Sequence, residues 1–183
     1  FTRSSRQFAY IDPTSNWVVV DSATANRAED LLSALRETLG SLRLKPVKVE
    51  RAPSAVLTQW LESGTPRDFE LGDECELKEP VDQGGVMRGR RIDLASAEIR
   101  SHLDAGMQVA KLSIEWQERI GCILGDDLGI YRLRFLDLVM EEAATVESDD
   151  PIACFDADFA LMSLELARFI PVLIEAFGGI VDD

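Results

Sequence analysis

Arginine side chains recur between Val86 and Ile92, in the sequence Val-Met-Arg-Gly-Arg-Arg-Ile. Because alternate residues of a β-strand share a face, the pattern predicts Arg88 and Arg90 on one face and Arg91 on the other. Guanidinium groups bind phosphate through charge-assisted, often bidentate hydrogen bonds that carry no sequence information. The spacing therefore favours a phosphate-binding strand, and the alternative is a solvated face that discourages edge pairing.

Two later strands carry further positive charge. A strand predicted over 108–116 contains Lys111, and a strand predicted over 130–136 has Arg132 and Arg134 on one face. The opposite face of that last strand is expected to hold Tyr131, Leu133 and Phe135. The candidate phosphate-binding residues are Arg88, Arg90, Arg91, Lys111, Arg132 and Arg134.

Few residues suit catalysis. His102 is the only histidine, so a catalytic triad or a histidine-rich metal site would depend on one helix residue. Three aspartate pairs could hold a divalent metal for phosphoryl chemistry, but each also suits a turn, a linker or a helix N-terminus. These pairs are Asp126 with Asp127, Asp149 with Asp150, and Asp156 with Asp158. No Walker loop, CxxC or dinucleotide fingerprint occurs, so we expect neither an enzyme nor a cofactor.

Composition describes a globular chain with an unfavourable charge for binding polyanions. The 183 residues have a formal net charge of -14 and 46% hydrophobic residues, which is typical of soluble proteins. No apolar run approaches the roughly 20 residues that cross a bilayer, so we expect no membrane association. Cys75, Cys122 and Cys154 are odd in number and widely spaced, which indicates reduced thiols and a cytoplasmic location. Because residue 1 is not Met, we expect the chain to begin inside a longer gene product.

The acidic charge is concentrated at the C-terminal end. After Arg134 the only basic residue is Arg168, and the densest acidic stretch extends from Glu141 to Pro151. That stretch is typical of a solvated linker between packed elements. A basic surface elsewhere could therefore bind a polyanion while this end faces away from it.

Periodicity predicts strands and helices in mixed order. A hairpin is expected from Phe8–Ile11 and Trp17–Val20, followed by a helix from about Thr24. A second helix is expected after an N-cap at Ser54, and a long one from about 158 to 177, kinked at Pro171. The clustered strands indicate an α+β fold with antiparallel strands, several helices and a long C-terminal helix. We expect two lobes, about 1–65 and 66–183.

Ordered short matches along nearly the whole chain resemble the RdgC family of bacterial recombination-associated proteins. The matching segments are Val18 to Ala23, Ala28 to Leu32, Leu39 to Leu42, Asp73 to Leu77, Gly84 to Val86 with Arg88 and Arg91, Asp93–Leu94, Glu98–Ile99, His102, Ala105–Gly106, Lys111 to Ser113, Trp116, Arg132 to Phe135, Phe155 to Phe159 and Glu175 to Gly179. No single motif is diagnostic, and the resemblance depends on their number and order.

The resemblance implies a protein that acts by occupancy rather than chemistry. Such a protein binds duplex DNA without sequence preference as a ring-shaped homodimer with a basic hole, and it restrains RecA-driven strand exchange. It would be nucleoid-associated and would have no catalytic centre. Two departures are that the family's N-terminal region is absent and that Ile92 and Met107 replace residues that are often basic or polar. The alternative is an acidic protein-interaction module without direct DNA contact.

Overall fold

The computed structural model describes residues 6–22, 24–81, 83–144 and 149–181. The chain divides into two compact units, Phe1–Pro46 and Val47–Asp183. The first unit contains strand β1 (Phe8–Asp12), strand β2 (Trp17–Asp21) and helix α1 (Ala25–Leu39). Its two strands pair antiparallel, which confirms the predicted hairpin.

The second unit contains the remaining elements. They are α2 (Pro53–Ser63), β3 (Phe69–Lys78), β4 (Val86–Arg90), α3 (Ala97–Asp104), β5 (Gln108–Trp116), β6 (Ile120–Gly125), β7 (Ile130–Phe135), α4 (Asp137–Ala144) and α5 (Pro151–Ala176). Its five strands form one sheet in the order β4-β3-β5-β6-β7, and all neighbouring strands are antiparallel. The predicted α+β class and the long C-terminal helix are confirmed.

Helix α2 belongs to the second unit, so the boundary lies after Pro46 rather than near residue 65. The amide of Val109 in β5 donates a 2.9 Å hydrogen bond to the Thr58 hydroxyl of this helix. Pro53 occupies the first turn and Ala52 is the N-cap, so the predicted cap at Ser54 is wrong. Proline suits this position because its fixed φ matches the helix and its missing N–H would be unpaired there.

Apolar side chains on one face of the sheet form the core. Leu112, Ile114 and Trp116 alternate along β5 and are at least 98% buried. The ring of Phe169 from α5 lies 5.4 Å from Trp116, and the ring of Trp60 from α2 lies 5.1 Å from Phe69 of β3. Helices α2 and α5 therefore cover this face, and the other face of the sheet is called the open face below.

Helix α5 begins earlier than its periodicity suggests. Asp150 is its N-cap and accepts a 3.0 Å hydrogen bond from the amide of Ile152, with Pro151 in the first turn. The helix continues through Pro171, where the kink stays a prediction. Because Glu141 and Glu142 lie in α4, the linker prediction is wrong for them, and residues 145–148 lie outside the described residues. No helix in the described ranges is long and apolar enough to span a bilayer.

A buried carboxylate connects α5 to the sheet. Glu165 is 1% exposed and accepts hydrogen bonds of 2.7 and 2.9 Å from Nε and Nη2 of Arg119, in the loop between β5 and β6. The other side of the same guanidinium donates to Glu142 of α4, at 3.0 and 2.6 Å. These hydrogen bonds to Glu165 and then Glu142 raise the pKa of Arg119. Two bidentate pairs therefore join both C-terminal helices to one hairpin.

We expect replacement of Glu165 by alanine to lower the free energy of unfolding by about 3 kcal/mol. The change leaves the Arg119 guanidinium, which is only 16% exposed, without one of its two bidentate partners. Urea denaturation of the purified protein measures the difference. Arg168→Ala is the control because it removes only a 3.2 Å bond to Glu165 from a side chain that is mostly exposed, and it should cost below about 1 kcal/mol. Equal losses would contradict the assigned role.

Candidate nucleic-acid interface

The sheet register brings four of the six candidate residues onto the open face, and a hydrogen bond to Glu74 places Arg132 there as well. Residues directly opposite in neighbouring strands share a face, and Glu76 of β3 lies opposite both Arg88 of β4 and Lys111 of β5. Glu74 lies opposite Arg90 in the same way. The polar and charged side chains of this face include Glu70, Glu74, Glu76, Lys78, Arg88, Arg90, Gln108, Lys111, Ser113, Glu115, Tyr131, Arg132 and Arg134.

Strand β7 joins this face through an irregular register. Arg134 lies opposite Gly121, and Tyr131 lies opposite Ile123, so β7 has one more residue than β6 in this interval. This is a β-bulge, and Arg132 within it has a left-handed φ of 49°. The extra residue shifts the alternation, so Tyr131 lies on the same face as Arg134. The prediction that Tyr131 faces away from the arginines is therefore wrong.

Arg91 is the one candidate residue that lies outside its predicted strand, β4. Strand β4 ends at Arg90, and Arg91 turns out of it with a left-handed φ of 54°. The amide of the next residue, Ile92, donates a 3.2 Å hydrogen bond to the carbonyl oxygen of Asp73, which closes the turn onto β3. The predicted strand over 86–92 is thus two residues too long, and strand alternation does not apply to the exposed Arg91.

Carboxylates on the open face pair with its arginines. Arg88 donates through Nε to Glu76 at 2.7 Å, and Arg90 donates through Nε to Glu74 at 3.1 Å. Arg132 donates through Nη2 to Glu74 as well. Arg134 donates through Nη2 to Glu115 at 3.3 Å. Positive and negative side chains therefore alternate across the open face, which is not uniformly basic.

These ion pairs leave much of each guanidinium exposed. The side chains of Arg88, Arg90, Arg132 and Arg134 are 72%, 73%, 55% and 65% exposed. Within the described residues each donates through one nitrogen to a single carboxylate oxygen, although arginine has five N–H donors in a planar fork. Arg119, in contrast, uses both edges of its fork for protein carboxylates. The open-face arginines can therefore donate further hydrogen bonds to phosphate oxygens.

Lys111 and Tyr131 form a second cluster at one end of the open face. The Lys111 ammonium lies 5.1 Å from the centroid of the Tyr131 ring, a cation–π distance. The Tyr131 hydroxyl donates to Asp127, whose other oxygen accepts a 2.9 Å bond from the amide of Gly129. The hydrogen bond to Asp127, followed by burial, raises the pKa of Tyr131 to about 12. The phenol thus stays protonated near neutral pH.

Glycines in and beside β6 let these side chains lie flat on the sheet. A Cβ atom at Gly129 would lie 2.6 Å from the Tyr131 ring, and one at Gly121 would lie 2.8 Å from Nε of Arg134. Both distances are below ordinary van der Waals contact, so a larger residue would displace the aromatic ring or the guanidinium. The absence of side chains at these positions therefore determines how the open face is arranged.

Sequence reasoning missed the acidic half of the open face. Glu74 and Glu76 alternate with Cys75 and Leu77 on β3, and this period of two places them opposite the arginines of β4. That alternation is the signal that could have revealed them. The pairing of Glu74 with Arg132 has no such local signal, because the two residues are 58 positions apart in sequence.

Three of the candidate aspartates have structural roles. Asp126 pairs with Lys78, Asp127 with Tyr131, and Asp150 caps α5. In the described part of the chain, no group of three or more His, Cys, Asp or Glu residues could hold a metal ion.

The buried cysteines are core thiols. Cys75 of β3 and Cys122 of β6 face the core, and burial raises their pKa values to about 11 and about 12. These thiols are therefore protonated near neutral pH and are poor nucleophiles.

Comparison with known proteins gives consistent similarities. The family model described as "Putative exonuclease, RdgC" matches residues 1–180. Proteins named recombination-associated protein RdgC from Aeromonas hydrophila and Pseudomonas aeruginosa are 44% and 47% identical over 98% of this chain. The protein of that name from Tolumonas auensis is 43% identical over the same share. The chain spans 59% to 60% of the length of these relatives.

We expect Asp127→Asn to lower the pKa of Tyr131 from about 12 toward 10. The change removes a negative charge and the strong acceptor that stabilise the protonated phenol, so the phenolate forms at lower pH. Ultraviolet titration of phenolate absorbance measures the shift. The experiment is done in a Tyr10→Phe background because Tyr10 is the other tyrosine. An unchanged titration would show that Asp127 does not contact the hydroxyl in solution.

Proposed function

Because the chain belongs to the RdgC family, we propose that its open face forms part of a surface that binds duplex DNA without reading base sequence. The relatives described above are recombination-associated proteins, and a role in recombination is the function that the comparisons support for this chain. The finer steps, namely DNA occupancy, ring formation and restraint of RecA, are part of the proposal.

One observation carries the proposal. Four exposed arginines from β4 and β7, together with Lys111 of β5, lie on one face of a single sheet. Each arginine has donors beyond the single carboxylate oxygen that it contacts. Phosphate oxygens accept charge-assisted hydrogen bonds from such guanidinium groups, and contacts of this kind position a protein on DNA without specifying sequence.

The interleaved carboxylates limit the strength of this surface. Glu74, Glu76 and Glu115 offset much of the arginine charge, and the whole chain has a net charge of -14. Long-range attraction between the chain and DNA is therefore weak, and binding depends on short-range contacts to phosphates. Such a surface suits a protein that occupies DNA and dissociates from it readily. We propose that this reversible occupancy restrains RecA-driven strand exchange on the nucleoid.

The N-terminal half of α5 supports the proposed homodimer. Ile152 and Phe155 are 71% and 64% exposed, and Phe155 stacks on Phe159 with ring centroids 6.2 Å apart. Exposed apolar surface of this kind is typical of a protein interface. We propose that two copies of the full-length protein associate through such surfaces to form a ring around DNA, which increases retention without new contacts to DNA.

A second candidate function is an acidic protein-interaction module. The observation that favours it is that the described carboxylates on the open face already neutralise most of its cations. In that case a basic protein surface would bind the acidic groups, and the arginines would be solvated. A third candidate follows from the family description, which names an exonuclease. Both candidates give distinct results in the DNA experiment.

We expect Arg88→Ala/Arg134→Ala in the full-length protein to weaken binding to unrelated duplexes by the same factor. Each lost phosphate contact should reduce the slope of log affinity against log salt by about one unit. Fluorescence anisotropy with several duplexes at several salt concentrations measures both quantities. The matched control is Arg27→Ala/Arg100→Ala, which removes the same charge from exposed positions on α1 and α3 and should change binding little.

Normal DNA binding by the open-face variant would support the interaction-module function. A preference of about tenfold for one sequence would contradict the proposal, because phosphate contacts do not distinguish bases. Shortening of the duplex that requires a divalent metal would identify the exonuclease.

We expect Phe155→Ser to weaken self-association of the full-length protein by roughly tenfold or more, because a large aromatic contact at an interface is lost. Sedimentation equilibrium measures the change. The control is Phe8→Ser, at a phenylalanine of β1 that is equally exposed. Unchanged association of the Phe155 variant would place the dimer contact elsewhere.

A further inference from the structure

We infer that Glu74 is an internal substitute for a DNA phosphate, holding Arg90 and Arg132 in place until a phosphodiester displaces it. The inference rests on the proposed DNA-binding function and adds to it a residue that sets affinity. Glu74 differs from the other described carboxylates on the open face because it is paired with two of the candidate arginines.

The two partners of Glu74 come from strands on opposite sides of β3. Arg90 lies directly opposite on the neighbouring strand β4. Arg132 belongs to β7, three strand positions from β3 in the sheet order. In a flat sheet three positions correspond to roughly 14 Å. The pair therefore crosses over β5 and β6 and requires a sheet that curves towards the open face.

Irregular pairing at both ends explains this curvature. The register of β3 against β5 shifts between Leu71 and Cys75, which is where Glu74 lies. The bulge in β7 contains Arg132 in the left-handed region. Bulges bend the strand that contains them and redirect its side chains. Glu74 and Arg132 therefore meet over β5 and β6, above the middle of the open face.

The chemistry of the cluster matches that of a phosphate site. A carboxylate and a phosphodiester both present anionic oxygens to guanidinium donors. The hydrogen bond from Arg132 lowers the pKa of Glu74, so the carboxylate is ionised near neutral pH. Arg90 and Arg132 remain 73% and 55% exposed, whereas Glu74 is 21% exposed. The acid thus lies beneath two solvent-accessible cations, and an incoming phosphate can approach both from outside.

Binding of DNA at this position is consequently an exchange of partners. The spare donors of Arg90 and Arg132 allow a first contact with phosphate. Bidentate binding by both guanidiniums then requires the pairs to Glu74 to open or lengthen, and the displaced carboxylate stays near the phosphate and repels it. Both effects lower affinity relative to a face without the acid. The same ion pairs keep Arg90 and Arg132 ordered in the absence of DNA.

The test is the DNA affinity of full-length Glu74→Gln. Glutamine has nearly the same shape and removes the charge, and the exposed arginines are not left as buried unpaired cations. We expect duplex DNA to bind roughly three- to tenfold more tightly than to the wild type, because two exposed ion pairs no longer compete. Glu62→Gln on α2 is the matched control, because it makes the same charge change on a helix that covers the other face.

A second background separates ion-pair competition from a simple change in net charge. In Arg90→Ala/Arg132→Ala protein, Glu74→Gln should give no gain, because the cations that the acid holds are absent. A gain that persists there, or that equals the gain of Glu62→Gln, would overturn the inference.

DNA binding by the wild type distinguishes failure of the role inferred for Glu74 from failure of the proposed function. If the wild type binds DNA and Glu74→Gln binds equally or less tightly, the role of Glu74 is wrong while the proposed function stands. If the wild type and Glu74→Gln both fail to bind DNA, the proposed function and this inference fall together.

Discussion

The buried carboxylate of Glu165 is the constraint on which the rest of the sheet unit depends. A charge removed from water has to be paired, and Arg119 supplies the pair from the loop between β5 and β6. Because that guanidinium also holds Glu142, α4 and α5 are attached to the same hairpin. The attachment seats Phe169 on Trp116 and closes one face of the sheet. The open face stays uncovered because α2 and α5 pack on the other face of the sheet.

Arginine thus has two different uses in one unit. Arg119 is mostly buried and donates four hydrogen bonds to protein carboxylates from both edges of its fork. Arg88 and Arg134 are mostly exposed, and each contacts a single carboxylate oxygen. The number of donors already engaged, rather than the local density of arginine, distinguishes a structural guanidinium from one that is available for phosphate.

Local sequence signals predicted the elements better than their relationships. The strands β4, β5 and β7 and the alternation within β4 were visible because each depends on neighbouring residues. The start of α5 at Pro151 was missed because acidic residues before it resemble a linker, although Asp150 is its cap. The bulge at Arg132 and the end of β4 at Arg90 depend on pairing with distant strands. For that reason the side of Tyr131 and the pairing of Glu74 with Arg132 could not be predicted from the sequence.

The two thiols on the core side of the sheet have a consequence for following its motions. Cys75 and Cys122 lie on β3 and β6, on opposite sides of the central strand β5, and both are hidden and protonated near neutral pH. An alkylating reagent reaches them only when helices lift from the sheet or strands separate. The alkylation rates of Cys75 and Cys122 therefore report how often the sheet opens locally on each side of β5. No label has to be introduced for this measurement.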